Sequence, residues 1–207
     1  MASPLLWLAR HGSTEFNDPD PSKDRIRGWL NIPLDEEGVK EAVRLGKFFD
    51  GKGVRKIYAS DLGRTMETAE KIKEIAGINA EIIPTKALRP WHLGDMEGEV
   101  VAKILPQMKY YAEHPYIPVP GGETFNDFLH RLLPFVRDRM NQAEIDKKPV
   151  LLVSHYRDLK AVDSWIKDGM KGEKVEPDKS VSGKLATGVA LEICKDGKKW
   201  TSSFVND

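Results

Sequence analysis

Leu5-Leu6-Trp7-Leu8-Ala9-Arg10-His11-Gly12-Ser13-Thr14 decides how the rest of the chain is read. An apolar run of strand length stops abruptly at Arg-His-Gly. That predicts a buried strand ending in a tight turn that holds a guanidinium and an imidazole in the open. Such a turn suits chemistry on an anion. Taken singly, Arg, His and Gly are common in loops and describe no more than a capped strand end. Two later stretches repeat the form, strand then polar turn then helix, and they change the reading.

Lys56-Ile57-Tyr58-Ala59-Ser60 predicts the first of these strands, and Asp61-Leu62-Gly63-Arg64-Thr65 leads into a helix carrying Met66, Ala69, Ile72 and Ile75. Arg64 then lies in the first helical turn, beside free backbone N–H groups and the positive end of the helix dipole, where an oxyanion is welcome. In isolation it would be an ordinary surface partner for Glu67 or Asp61. Val150-Leu151-Leu152-Val153-Ser154 is the strongest strand signal, an uninterrupted apolar run of the kind a central parallel strand shows. It ends in His155, and a helix follows through Leu159, Ala161, Val162, Trp165 and Ile166. In an open parallel sheet the C-terminal strand ends share one edge, where ligands bind. Two arginines and two histidines from three such junctions converge there as an anion pocket.

The remaining segments supply the frame. Residues 13–37 are dense in turn formers and predict an ordered surface loop. Asp35-Glu36-Glu37-Gly38 opens a helix with Val39, Ala42, Val43, Leu45, Phe48 and Phe49 on one face, stopped by Gly51-Lys52-Gly53. Ala80 to Pro84 predicts a third strand near a sheet edge. Residues 88–98 hold His92, Asp95 and Glu97 in a non-periodic loop able to supply a proton donor. Residues 99–122 combine an amphipathic piece with a Pro- and Gly-rich segment and predict a lid or side wall. Glu123 to Ile145 is the longest helical pattern, with Pro134 a candidate kink. Residues 169–184 are Gly- and Lys-rich loop, and 188–194 with 200–205, joined by Asp196-Gly197, form a hairpin pattern. These elements predict one three-layer α/β/α sandwich over residues 1–207, with a mainly parallel central sheet and a small helical lid at about 99–122.

Composition narrows the function. The 32 basic residues balance the 32 acidic ones, which argues against a non-specific nucleic-acid binder and makes any anion site local. No apolar segment reaches membrane-spanning length, and Met1-Ala2-Ser3-Pro4 with its short apolar run is no secretory signal. The expectation is a cytoplasmic protein without membrane partners. The single Cys194 cannot form an internal disulfide and sits in an alternating stretch, which predicts a packed, inert thiol. Aromatic residues that would serve an interface equally suit the core, so no oligomeric state is assigned.

Read together, these motifs resemble the histidine phosphatase superfamily, the phosphoglycerate-mutase-like fold, in order and spacing over roughly the whole chain. The defining tripeptide is Arg10-His11-Gly12, followed by Thr14 and Asn17. The family's Gly, Pro-Leu and later Gly are similar to Gly28, Pro33-Leu34 and Gly38. Its Ser-Asp-Leu-x-Arg-Thr stands as Ser60 to Thr65, its second histidine as His155, and its Gly-Gly-Glu turn as Gly121-Gly122-Glu123. The resemblance implies a cofactor-independent, metal-free phosphatase acting on a small-molecule phosphate ester through a phosphohistidine. His11 would be the nucleophile, with Arg10, Arg64 and a preferably protonated His155 meeting the charge on the phosphoryl oxygens. Thr14, Asn17, Gly122 and Glu123 would be substrate-binding positions. The alternatives are a phosphoglycerate-type mutase, which the shortness of 99–122 disfavours, or a non-catalytic phosphate-ligand module.

Two departures stand out. Much of the family places a glutamate two residues after the leucine that corresponds to Leu88, where it protonates the leaving oxygen; here that position is Pro90. His92 is the first candidate for the donor, with Asp95 or Glu97 as alternative acids if their pKa is raised. The second departure is Tyr156-Arg157, where small residues are frequent; Arg157 either adds a phosphate contact or faces solvent, and solvent is the expectation.

Overall fold

The computed structural model of the chain describes residues 4–176 and 185–205. The last part of the Gly- and Lys-rich loop, 177–184, and the chain's first three residues lie outside the described residues. Strand β1 (Pro4–Arg10) is followed by α1 (Glu36–Phe49), β2 (Lys56–Ser60), α2 (Gly63–Ile75) and β3 (Ile82–Thr85). Then come α3 (Val101–Glu113), α4 (Phe125–Asp146), β4 (Val150–Ser154), α5 (Tyr156–Lys167) and the hairpin β5 (Ala190–Asp196) to β6 (Lys199–Val205). The six strands form one sheet in the order β3-β2-β4-β1-β5-β6. β3, β2, β4 and β1 are parallel, and β5 and β6 continue the sheet antiparallel. The mainly parallel α/β architecture is the expected one.

Alternation along the central strands builds two apolar layers. Leu6 and Leu8 of β1, with Val150 and Leu152 of β4, join the layer packed by α3, α4 and α5. Trp7 and Ala9, with Leu151 and Val153, join the layer packed by Leu45 and Phe49 of α1 and Ala69 and Ile72 of α2. Both strands are therefore apolar throughout, because helices cover both faces. α1 begins where Asp35 accepts a hydrogen bond from the Gly38 N–H at 2.7 Å, and α4 where Thr124 accepts from the Asp127 N–H at 2.9 Å. β3 occupies the sheet edge, which tolerates Pro84. Pro134 lies inside the continuous α4. Cys194 is part-buried on β5, and burial pushes its thiol pKa up.

The loop after β1 is tied down rather than loose. Arg25 bridges Val100, Ile26 N–H donates to Glu99 O at 2.9 Å and Gly98 N–H to Ile26 O at 2.8 Å. This clamp brings the loop and α3 together over the C-terminal ends of β1 and β4. Among the described residues no helix is long and apolar enough to cross a membrane.

Candidate active site

The parallel register pairs Arg10 with Ser154, so the residues that follow leave the sheet side by side. His11 N–H donates to Ser154 O at 3.0 Å, and the His11 and His155 rings lie 5.1 Å apart between centroids. α2, following β2 on the other side of β4, supplies Arg64 from its second position. Gly12 N–H donates to Thr68 Oγ1 at 3.2 Å, and Thr68 Oγ1 donates to Arg64 O at 2.7 Å, which couples the turn to α2. The turn requires glycine: a Cβ on Gly12 would stand 2.3 Å from Gly38 O.

Hydrogen-bond chemistry sets the two imidazole tautomers. His11 Nδ1 lies 2.7 Å from the Gly12 carbonyl. A carbonyl only accepts, so Nδ1 carries the proton and Nε2 keeps its lone pair. His155 Nδ1 lies 3.2 Å from Arg64 Nη2. A guanidinium only donates, so this Nδ1 is the acceptor and the proton sits on Nε2, which is buried with no partner among the described residues. Burial, then Arg64 and Arg10, pushes the His11 pKa well below 6.5. Burial, then Arg64, His11 and Arg10, does the same for His155. The expectation of a protonated His155 is therefore corrected: it is a neutral imidazole presenting an N–H donor.

The cations are equally constrained. Arg64 donates Nη1 to Leu30 O and Nη2 to Gly28 O, both at 2.7 Å. Arg10 Nη1 donates to Leu185 O, and its guanidinium lies 5.4 Å from the centre of the Tyr156 ring. The Nε atoms of both arginines are buried without partners among the described residues. Burial, then neighbouring Arg27, lowers each guanidinium pKa to about 9. Donors without acceptors and mutually repelling cations describe a cradle for an anion.

These groups share the wall of a cavity of about 820 Å³ with apolar Val101, Leu105 and Met108 from α3 and with Trp91 and Leu93, room for a small ligand. Of the positions expected from sequence, Arg10, His11, Arg64, His155 and Asn17 line this cavity. Thr14 is buried behind it, with its N–H and hydroxyl donating to Asn17 Oδ1 at 3.1 and 3.0 Å. The other expected positions lie outside the cavity lining. His92 stacks on Trp29 at 4.2 Å, with Nε2 3.7 Å from Glu97 Oε1. Glu97 accepts from the Leu93 N–H at 3.1 Å, and Asp95 lines a separate hollow beside Pro120. Gly122 packs on the His92 carbonyl, while Glu123 accepts from Arg131 Nη2 at 2.6 Å and the His92 N–H at 2.9 Å. This pair braces the loop of 88–98.

Two cavity residues escaped the sequence reading. Arg27, in a loop whose composition reads as surface, lines the cavity and donates to Asp24 Oδ1 and Phe16 O, each at 3.0 Å. Arg157, expected in solvent, is only 8 % exposed and also lines the cavity. Its place two residues after His155, in the first turn of α5, was the available signal. Asp158, next on α5, is fully buried, and burial pushes its carboxyl well above 3.8. A neutral Asp158 can donate to Ser154 Oγ, which frees the hydroxyl proton for Leu88 O at 3.1 Å.

Comparison with known proteins bears on the family and the fold. Residues 6–189 match the model of the histidine phosphatase superfamily (branch 1). A phosphoglycerate mutase of Schizosaccharomyces pombe is 28% identical over 98% of this chain and 96% of its own length. The solved structure of Bacillus stearothermophilus YhfR superposes with a TM-score of 0.78 at 30% identity, covering 98% of this chain and 96% of that one. A mycobacterial glucosyl-3-phosphoglycerate phosphatase shares the fold with a TM-score of 0.72 at 24% identity, over 96% of this chain and 95% of its own. With the match spanning nearly the whole chain, and the two histidine-bearing strand ends at its centre, this protein belongs to the histidine phosphatase superfamily.

Proposed function

We propose that this chain hydrolyses small phosphomonoesters by way of a phosphohistidine at His11. The observation that carries the reading is the His11 tautomer: Nδ1–H is held by its own turn, leaving the Nε2 lone pair for phosphorus beside donors that lack acceptors. Nε2 attacks phosphorus in line as the P–O ester bond breaks and its electrons leave with the alcohol oxygen. His155 Nε2–H, Arg10 and Arg64 meet the charge on the phosphoryl oxygens. Water then attacks phosphorus, the P–N bond breaks, and His11 is restored neutral with release of phosphate. The steps call on no group beyond the chain's own side chains and water.

The proton for the departing oxygen sets the substrate range. His92, Asp95 and Glu97 all lie outside the cavity lining, whose described carboxyl groups are Asp18 and Asp24. Asp24 is engaged by Arg27 at 3.0 Å, and Asp18 accepts from the Asp20 N–H at 2.9 Å. Aryl esters, whose oxygen leaves without protonation, should therefore be turned over far faster than alkyl esters, by about 10²-fold or more.

The mutase reading is favoured by the name of the S. pombe relative. Chain length does not separate the two readings, since that relative is matched over 96% of its own length. Product analysis does. With 3-phosphoglycerate, release of inorganic phosphate supports the phosphatase, and isomerisation without release supports the mutase. Binding without turnover of any ester, 4-nitrophenyl phosphate included, supports the ligand-binding module.

A further inference from the structure

Arg157 has no counterpart in the phosphoryl chemistry above. It is the second residue of α5, and its guanidinium lies between two cavity-wall side chains, 5.7 Å from the centre of the Trp91 ring and with Nη2 3.3 Å from Met108 Sδ. A ring face and a thioether are weak acceptors that carry no charge. Its Nη1 is buried with no hydrogen-bond partner among the described residues. The other cavity guanidiniums differ: Arg27 has a carboxylate at 3.0 Å, and Arg10 and Arg64 have backbone carbonyls.

A buried guanidinium with an unused donor is a defect unless a ligand completes it. The transferred phosphoryl group is already matched by Arg10, Arg64 and His155, so the charge on Arg157 is surplus to that group. The two side chains that hold the Arg157 guanidinium, Trp91 and Met108, carry no charge, and an ion pair formed against such a wall is screened little by water. We propose that Arg157 is a specificity-determining residue that grips a second anionic group, a carboxylate or a further phosphate, on the leaving portion of the substrate. The inference rests on the phosphoester reading of the cavity. It makes the preferred substrate a phosphoester with a negatively charged tail, and it explains why a large cationic side chain stands at a turn where the family often has a small residue. A site built to bond a charged acceptor rejects the analogue that lacks one, because the buried donor is then left unpaired.

The test compares esters that differ in the tail: 3-phosphoglycerate with a carboxylate, 1,3-propanediol bisphosphate with a second phosphate, and glycerol 3-phosphate with a neutral tail. The expected result is that wild type prefers one or both anionic esters over glycerol 3-phosphate by about tenfold or more in kcat/KM, carried mostly by KM. The larger preference identifies the group. In Arg157→Met the preference should fall to within about twofold of unity, and Arg157→Lys, which keeps the charge but loses the fork, should recover part of it. Because the readout is a ratio within each variant, a general loss of folded enzyme does not imitate it. If none of the esters is turned over, the same ratios are read as dissociation constants by titration calorimetry. A wild type without preference, or an Arg157→Met that keeps it, overturns the proposal. A fall shared equally by all three esters does so too, since it would place Arg157 on the transferred phosphoryl group. Failure of the underlying phosphoester reading shows itself separately, as 4-nitrophenyl phosphate turnover that survives His11→Ala.

Discussion

At the residue scale the site turns on how few donors and acceptors each group has left. Arg64 spends Nη1 on Leu30 O and shares Nη2 between Gly28 O and His155 Nδ1. A lysine cannot make those bonds from one ammonium, so Arg64→Lys frees both the loop and the imidazole tautomer. Its kcat/KM on an aryl phosphate should drop about 10²- to 10³-fold, and a loss below about threefold would show that the guanidinium fork does not organise His155. His92 is the opposite case. Stacked on Trp29 outside the cavity lining, it is not placed to protonate a substrate. Steady-state kinetics of His92→Ala should therefore leave the ratio of alkyl to aryl turnover within about twofold of wild type. A selective loss on alkyl esters would restore His92 as the proton donor.

At the element scale, each strand-to-helix junction carries a consequence for stability as well as for chemistry. The Arg-His-Gly turn packs directly on the start of α1, with the Gly12 and Gly38 backbones too close for any side chain between them. Gly12→Ala should cost at least about 2 kcal/mol, read as a lower denaturant midpoint, with activity lost alongside. A variant as stable as wild type would mean that the turn has room which the geometry denies it. The junctions were also what the sequence made legible. An apolar run that stops at a charged turn states both strand direction and exposure, so β1, β2 and β4 and the side chains Arg10, His11, Arg64 and His155 could be placed from residues alone. The conformation of residues 13–37 and of 99–122 could not. Their conformation is set by long-range bridges such as Arg25 to Val100, which leave no local periodicity. Arg27 was missed and Arg157 assigned to solvent for that reason, since burial of a cation depends on what folds over it. That His92 lies outside the cavity lining was not legible either, because a loop rich in titratable residues says nothing about which way they point.

At the scale of the whole molecule, the sheet collects positive charge at one edge of a chain with no net charge. The price is two imidazoles held neutral in the fold. Their folded pKa values lie well below the usual 6.5. The unfolded chain thus binds more protons below that pH, and their contribution is lost as pH falls from 6.5. Asp158, whose folded pKa is raised by burial, works in the opposite sense above 3.8. Between pH 6.5 and about 5, stability should decline as pH falls, and thermal melts should show the slope reduced in His155→Gln. A wild-type melting temperature indifferent to pH over that window would mean that the histidines titrate normally. The central claim, that this convergence exists to carry a phosphoryl group on His11, is tested most directly by intact-protein and peptide mass spectrometry. Wild type is mixed with an aryl phosphate and quenched under alkaline conditions, which preserve a phosphoramidate. The account expects the mass of one phosphoryl group on the peptide containing His11, absent from His11→Ala. Turnover with no trapped phosphate on that peptide, or phosphate that persists in His11→Ala, would contradict it.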